Sequence, residues 1–61
     1  MWTEFKKEEK FSRARYWKDV LESEGIPTLI LPPKGEENGT YQVYVPADKL
    51  KVVREVLKRL Q

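Results

Sequence analysis

Thr40-Tyr41-Gln42-Val43-Tyr44-Val45, running into Pro46-Ala47-Asp48, is the stretch on which the fold turns. Tyr41, Val43 and Val45 alternate with Gln42 and Tyr44. Aromatic and β-branched residues in a period of two specify a strand with one face buried. Pro46 ends the run, and a helical pattern follows in which Leu50, Val53, Leu57 and Leu60 recur at spacings of three and four, flanked by Val52 and Val56. Asp48 is placed to cap that helix.

Working back along the chain, Asn38-Gly39 carries turn chemistry at the end of the polar stretch Lys34–Gly39. Before it, Thr28-Leu29-Ile30-Leu31 is a short apolar run stopped by Pro32-Pro33, and it reads as a second strand forming a hairpin with the first. From Glu8 to Glu24 the period is helical. Phe11, Ala14, Trp17 and Leu21 make the apolar stripe, with Val20 beside it and Glu8 and Glu9 in the first turn. Gly25 supplies a left-handed C-terminal residue, and Pro27 prevents the helix from resuming. Residues 1–6 alternate Met1, Thr3, Phe5 with Trp2, Glu4, Lys6, which suits a short strand.

The order is therefore β-α-β-β-α, an α+β chain of 61 residues that fills one domain, residues 1–61. Two amphipathic helices and one small sheet bury most surface when both helices cover the same sheet face. The expected arrangement is ferredoxin-like without its last strand: a three-stranded antiparallel sheet in the order 1-3-2, with the Thr40–Val45 strand central. It leaves one sheet face bare and the outer edge of the first strand unpaired.

Composition narrows the function classes. The chain has neither cysteine nor histidine. A metal, haem or iron–sulfur site is therefore not expected, nor is any other cofactor, and the usual neutral-pH general base is missing. Ser12, Ser23, Thr3, Thr28 and Thr40 are the available nucleophiles, none with an imidazole to activate it. No pair of carboxylates sits in apolar sequence that would separate their pKa values. We expect no enzyme activity and assign no catalytic residue. Gly35-Glu36-Glu37-Asn38-Gly39 contains two glycines, yet it carries two acids and precedes a strand, so it reads as a hairpin connection and not a phosphate cradle. No apolar run reaches the roughly 18 residues of a membrane span. The charged start, Met1 to Lys10, lacks the apolar middle of a signal peptide, so a cytoplasmic location with no membrane partner is expected.

The net charge of +2 is unevenly distributed. Residues 1–25 balance six basic against six acidic groups, whereas residues 48–61 set Lys49, Lys51, Arg54, Lys58 and Arg59 against Asp48 and Glu55. That excess suits an anionic partner, although it is small for nucleic acid.

Glu24-Gly25-Ile26-Pro27-Thr28, then Tyr41-Gln42-Val43-Tyr44-Val45-Pro46, then Asp48 leading a short amphipathic helix, resembles a family of prokaryotic signal-transducing domains of unknown function. The likeness spans about residues 11–60. It implies a ferredoxin-like fold related to the nitrogen-regulatory PII proteins and, by extension, a regulatory role or a small-ligand sensor. It supplies no catalytic residues, and family members open with a more apolar strand than Met1–Lys6.

Parity assigns the bare face. If Tyr41, Val43 and Val45 face the helices, then Gln42 and Tyr44 face outward, joined by Trp2 or Phe5 from the first strand and by Ile30 or Leu29 from the second. An apolar face beside an open edge is commonly covered by another subunit. The expected function is a small interaction or regulatory module that binds a protein partner, by self-association as a homodimer, through Trp2, Ile30, Gln42 and Tyr44. The alternative is weak nucleic-acid binding by the same aromatic face, assisted by Lys51, Arg54 and Lys58.

Overall fold

A computed structural model describes residues 1–33 and 39–60. The elements are β1 (Trp2–Glu8), α1 (Phe11–Ser23), β2 (Leu29–Leu31), β3 (Tyr41–Pro46), a 3-10 turn (Ala47–Lys49) and α2 (Leu50–Leu60). The sheet is three-stranded and antiparallel in the order β1-β3-β2. The connection between β2 and β3, read from the sequence as a hairpin loop at Lys34–Gly39, lies largely outside the described residues.

Tyr41, Val43 and Val45 are buried while Gln42, Tyr44 and Pro46 alternate with them as half-buried residues. The buried set meets both helices. Tyr41 and Val43 join Ala14, Trp17 and Ile30 in one cluster, and Val45 joins Leu21, Ile26, Val53 and Val56 in a second. Both helices therefore cover one face of the sheet. Along its shortest axis the molecule measures 15 Å, room for one sheet and one helix layer. Phe5 and Leu57 touch both clusters and join them into a single core.

Phe5 reaches the core because β1 is irregular. Thr3 pairs with Val45 and Glu4 with Tyr44, but the register then shifts, so that Lys6 pairs with Val43, Lys7 with Gln42 and Glu8 with Tyr41. One residue is extra on β1, which is a β-bulge. It turns Phe5 and Lys6 to the helix side together. Lys6 Nζ lies 5.0 Å from the centre of the Trp17 ring, and Phe5 meets the same ring edge-on at 5.8 Å.

α1 ends where its sequence predicts. Gly25 has φ +82°, Ile26 N–H donates to the Leu21 carbonyl at 2.9 Å, and Gly25 N–H donates to that of Glu22 at 3.0 Å. This is the Schellman pattern, sealed by Ile26 against Leu21 in the core. A Cβ on Gly25 would meet nothing within 4 Å, so only the backbone opposes substitution there. Gly25→Ala is expected to cost about 1 kcal/mol, measured by urea unfolding, with Gly25→Asn costing less.

Two capping expectations need correction. Glu8 is the last residue of β1, not part of the α1 first turn, and its carboxylate accepts a 2.6 Å hydrogen bond from Trp17 Nε1–H. α1 starts after Lys10 with no acidic residue in its first turn. Asp48 makes no cap: it lies inside the 3-10 turn, whose N-cap is Pro46 and has no side-chain bond. The chain is instead fixed at this point by Ala47 N–H, which donates to the Met1 carbonyl at 2.8 Å.

Candidate functional site: the uncovered sheet face

With both helices on one side, the other side of the sheet is left, among the described residues, to side chains alone. Register with β3 settles which they are. Trp2 stands opposite Pro46, Glu4 opposite Tyr44, and Lys7 opposite Gln42; from the other flank Leu29 stands opposite Tyr44 and Leu31 opposite Gln42. Trp2, Leu29 and Leu31 are each more than 40% exposed. The Tyr44 hydroxyl donates to Gln42 Oε1 at 3.3 Å, a bond lying along the face.

Trp2, Gln42 and Tyr44 thus share the open face. Ile30 does not. It is 7% exposed and packs under α1 with Ala14, Trp17 and Val43. The sequence run Leu29-Ile30-Leu31 is apolar throughout, so hydrophobicity could not say which parity was buried, and pairing with Val43 decides it. Leu29 and Leu31 take the place expected of Ile30. Two charged residues, Glu4 and Lys7, were also missed; nothing local signals the register shift that brings them together.

The sheet edges are less available than the face. The outer edge of β1 is bulged and carries Glu4, Lys6, Lys7 and Glu8. β2 is only three residues long and is bounded by Pro27 and by Pro32-Pro33. Lys18 Nζ donates to the Thr28 carbonyl at 2.9 Å just before it. Bulges, charges, prolines and short length all discourage strand addition.

The basic residues of α2 lie elsewhere. Val53 and Val56 are buried against the sheet, and at about 100° per residue Lys51, Arg54 and Lys58 project from the opposite side of the helix. They face away from the open sheet surface, with the whole core between. Lys58 is 3.9 Å from Glu55, and Arg59 is 2.7 Å from Glu24.

A groove of about 290 Å³ runs between α1 and β2, lined in part by Phe11, Arg15, Asp19, Leu29 and Pro33. That volume is at the lower limit of small-molecule sites. Its charges are matched internally, Arg15 with Asp19 at 3.4 Å and Lys18 with Glu22 at 2.9 Å. The hydrogen bond from Lys18 holds the Glu22 carboxyl below its ordinary value of 4.5, against some desolvation that acts the other way. Among the described residues no three acidic side chains gather where a metal ion could be held, and no buried side-chain polar atom lacks a partner. No helix among them is long and apolar enough to cross a membrane.

No family model, curated protein or solved structure matches this chain. The reading of its function therefore rests on the geometry of the open face.

Proposed function

We propose that this chain is a small, non-enzymatic interaction module that self-associates through its uncovered sheet face. One observation carries the reading. Trp2, Tyr44, Leu29, Leu31 and Pro46 lie on a single surface that no element among the described residues covers. Apolar groups gathered on one face lose unfavourable contact with water when a second surface meets them, unlike the same groups scattered singly. The blunted edges favour contact through the face over extension of the sheet. A regulatory role, which the resemblance to signal-transducing domains implies, and a cytoplasmic setting, which the charged start Met1 to Lys10 suggests, accord with a module whose output is association.

The test is sedimentation of the pure protein over a range of concentrations. A reversible dimer is expected, and Tyr44→Ala should weaken it about tenfold or more while melting cooperatively like the parent. A chain that stays monomeric at every concentration would sink the proposal.

A second reading has a separate basis, the exposed Lys51, Arg54 and Lys58 of α2. Because these point away from the aromatic face, nucleic acid would bind through the helix alone, with affinity falling steeply as salt rises. Sedimentation with a mixed oligonucleotide pool distinguishes this mode, since contact through the apolar face is far less sensitive to salt.

A further inference from the structure

Glu4 and Lys7 are three residues apart, and in an unbroken strand that odd spacing would send them to opposite faces. The bulge reverses this, because Glu4 stands opposite Tyr44 and Lys7 opposite Gln42, so both charges share the open face. Two complete rows then cross the sheet. One reads Glu4, Tyr44, Leu29 and the other reads Lys7, Gln42, Leu31. Strand by strand the rows match in kind: acid with base, phenol with amide, leucine with leucine. Among the described residues neither Glu4 nor Lys7 has an ion-pair partner within the chain.

Such a pattern is what a two-fold interface needs, since each patch must complement itself. When two copies meet face to face, a two-fold axis can lie in the contact plane in two principal directions. An axis running across the strands, midway between the rows, exchanges them. Glu4 then lies over Lys7 of the copy, Tyr44 over Gln42, and Leu29 over Leu31. The angle of about 30° between aligned sheets leaves two neighbouring rows in register. An axis running along β3 keeps each row over itself but reversed, setting Glu4 on Leu29 and Lys7 on Leu31. That choice presses two charges onto leucines without partners, which is costly.

Building on the self-association reading, we infer that the open face is self-complementary about an axis across the strands, and that its partner is a second copy of this chain paired Glu4 to Lys7 at the rim. Three strands about 4.8 Å apart and up to seven residues rising about 3.3 Å each give a footprint of roughly 15 by 23 Å. That is about 350 Å² per copy and about 700 Å² in all, below the range of stable specific interfaces, so the dimer is weak and reversible and rim charges move it measurably.

The experiment is sedimentation equilibrium at low salt on the full chain, its E4K and K7E variants, the E4K/K7E double variant, and an equimolar mixture of the two single variants. Each single variant sets like charges opposite one another twice per dimer and should dimerise about tenfold more weakly. The double variant restores opposite charges and should return to within about twofold of the parent. In the mixture, E4K and K7E should pair with each other more tightly than either pairs with itself. Thermal melts confirm that each variant is folded, and should a reversal unfold the chain, E4Q and K7Q replace it with an expected weakening of about twofold to threefold. A parent dimer indifferent to these changes, or a double variant weaker than both single ones, overturns this arrangement but leaves self-association standing. A monomeric parent overturns both.

Discussion

Trp17→Ala is expected to remove about half or more of the domain's stability. The ring is 9% exposed and sits where four groups converge. Phe5 and Tyr16 meet it edge-on, Lys6 lies over its face, and Glu8 accepts its Nε1–H. Emptying such a site costs about 3–5 kcal/mol. A 61-residue domain at roughly 0.05–0.15 kcal/mol per residue has only about 3–9 kcal/mol in total. The truncation also strips a half-buried carboxylate of its donor, which adds to the loss. Far-UV circular dichroism and a urea titration measure the outcome. Trp17→Phe is milder: it keeps an aromatic ring in the core but removes the pyrrole half of the indole together with its bond to Glu8, for a loss of about 2–3 kcal/mol and a melting point lower by roughly 10–20 °C. If Trp17→Ala melted within a few degrees of the parent, the joined core described above would be wrong.

Adjacent positions of β2 should respond in opposite ways to the same change. Ile30→Asp places a carboxylate under α1 among Ala14, Trp17, Tyr41 and Val43, where the nearby groove bases Arg15 and Lys18 are already paired with Asp19 and Glu22, and should abolish folding. Leu31→Asp alters a side chain that is 45% exposed on the open face. It should preserve a cooperative melt while eliminating the dimer at concentrations where the parent associates, because a desolvated charge then opposes leucine across the interface. Circular dichroism and sedimentation on the two variants give the contrast directly. A folded Ile30→Asp protein would mean that the parity of β2 had been misassigned. A folded, fully dimeric Leu31→Asp protein would place the interface away from this face.

Both predictions rest on distinctions of unequal legibility. The elements themselves could be read locally. Alternation in Tyr41–Val45 marks a strand whose neighbours need not be known, and the spacing of Ala14, Trp17 and Leu21 marks a helical stripe by itself. Gly25 is legible for the same reason: a residue that must adopt φ +82° to end a helix is most easily glycine whatever surrounds it. From those elements, the order β1-β3-β2 and the placing of both helices on one face followed by requiring that every apolar stripe be buried.

Capping was less secure. Glu8 and Asp48 each carry the right chemistry for a helix start, yet Glu8 is held by Trp17 from nine residues away and Asp48 falls within a 3-10 turn anchored to Met1. In both places a contact distant in sequence displaced a local preference.

The sequence by itself therefore determined the elements, their order and the existence of a sheet face that neither helix covers, because periodicity and turn chemistry act over a few residues. The tertiary structure alone decided what that face presents. Ile30 could be told from Leu29 and Leu31 only by pairing with Val43, and Glu4 could join Lys7 only through a bulge defined against β3. Side-chain direction in a strand has a period of two, so a shift of one residue, set by a partner strand some forty positions away in the chain, reassigns every residue beyond it.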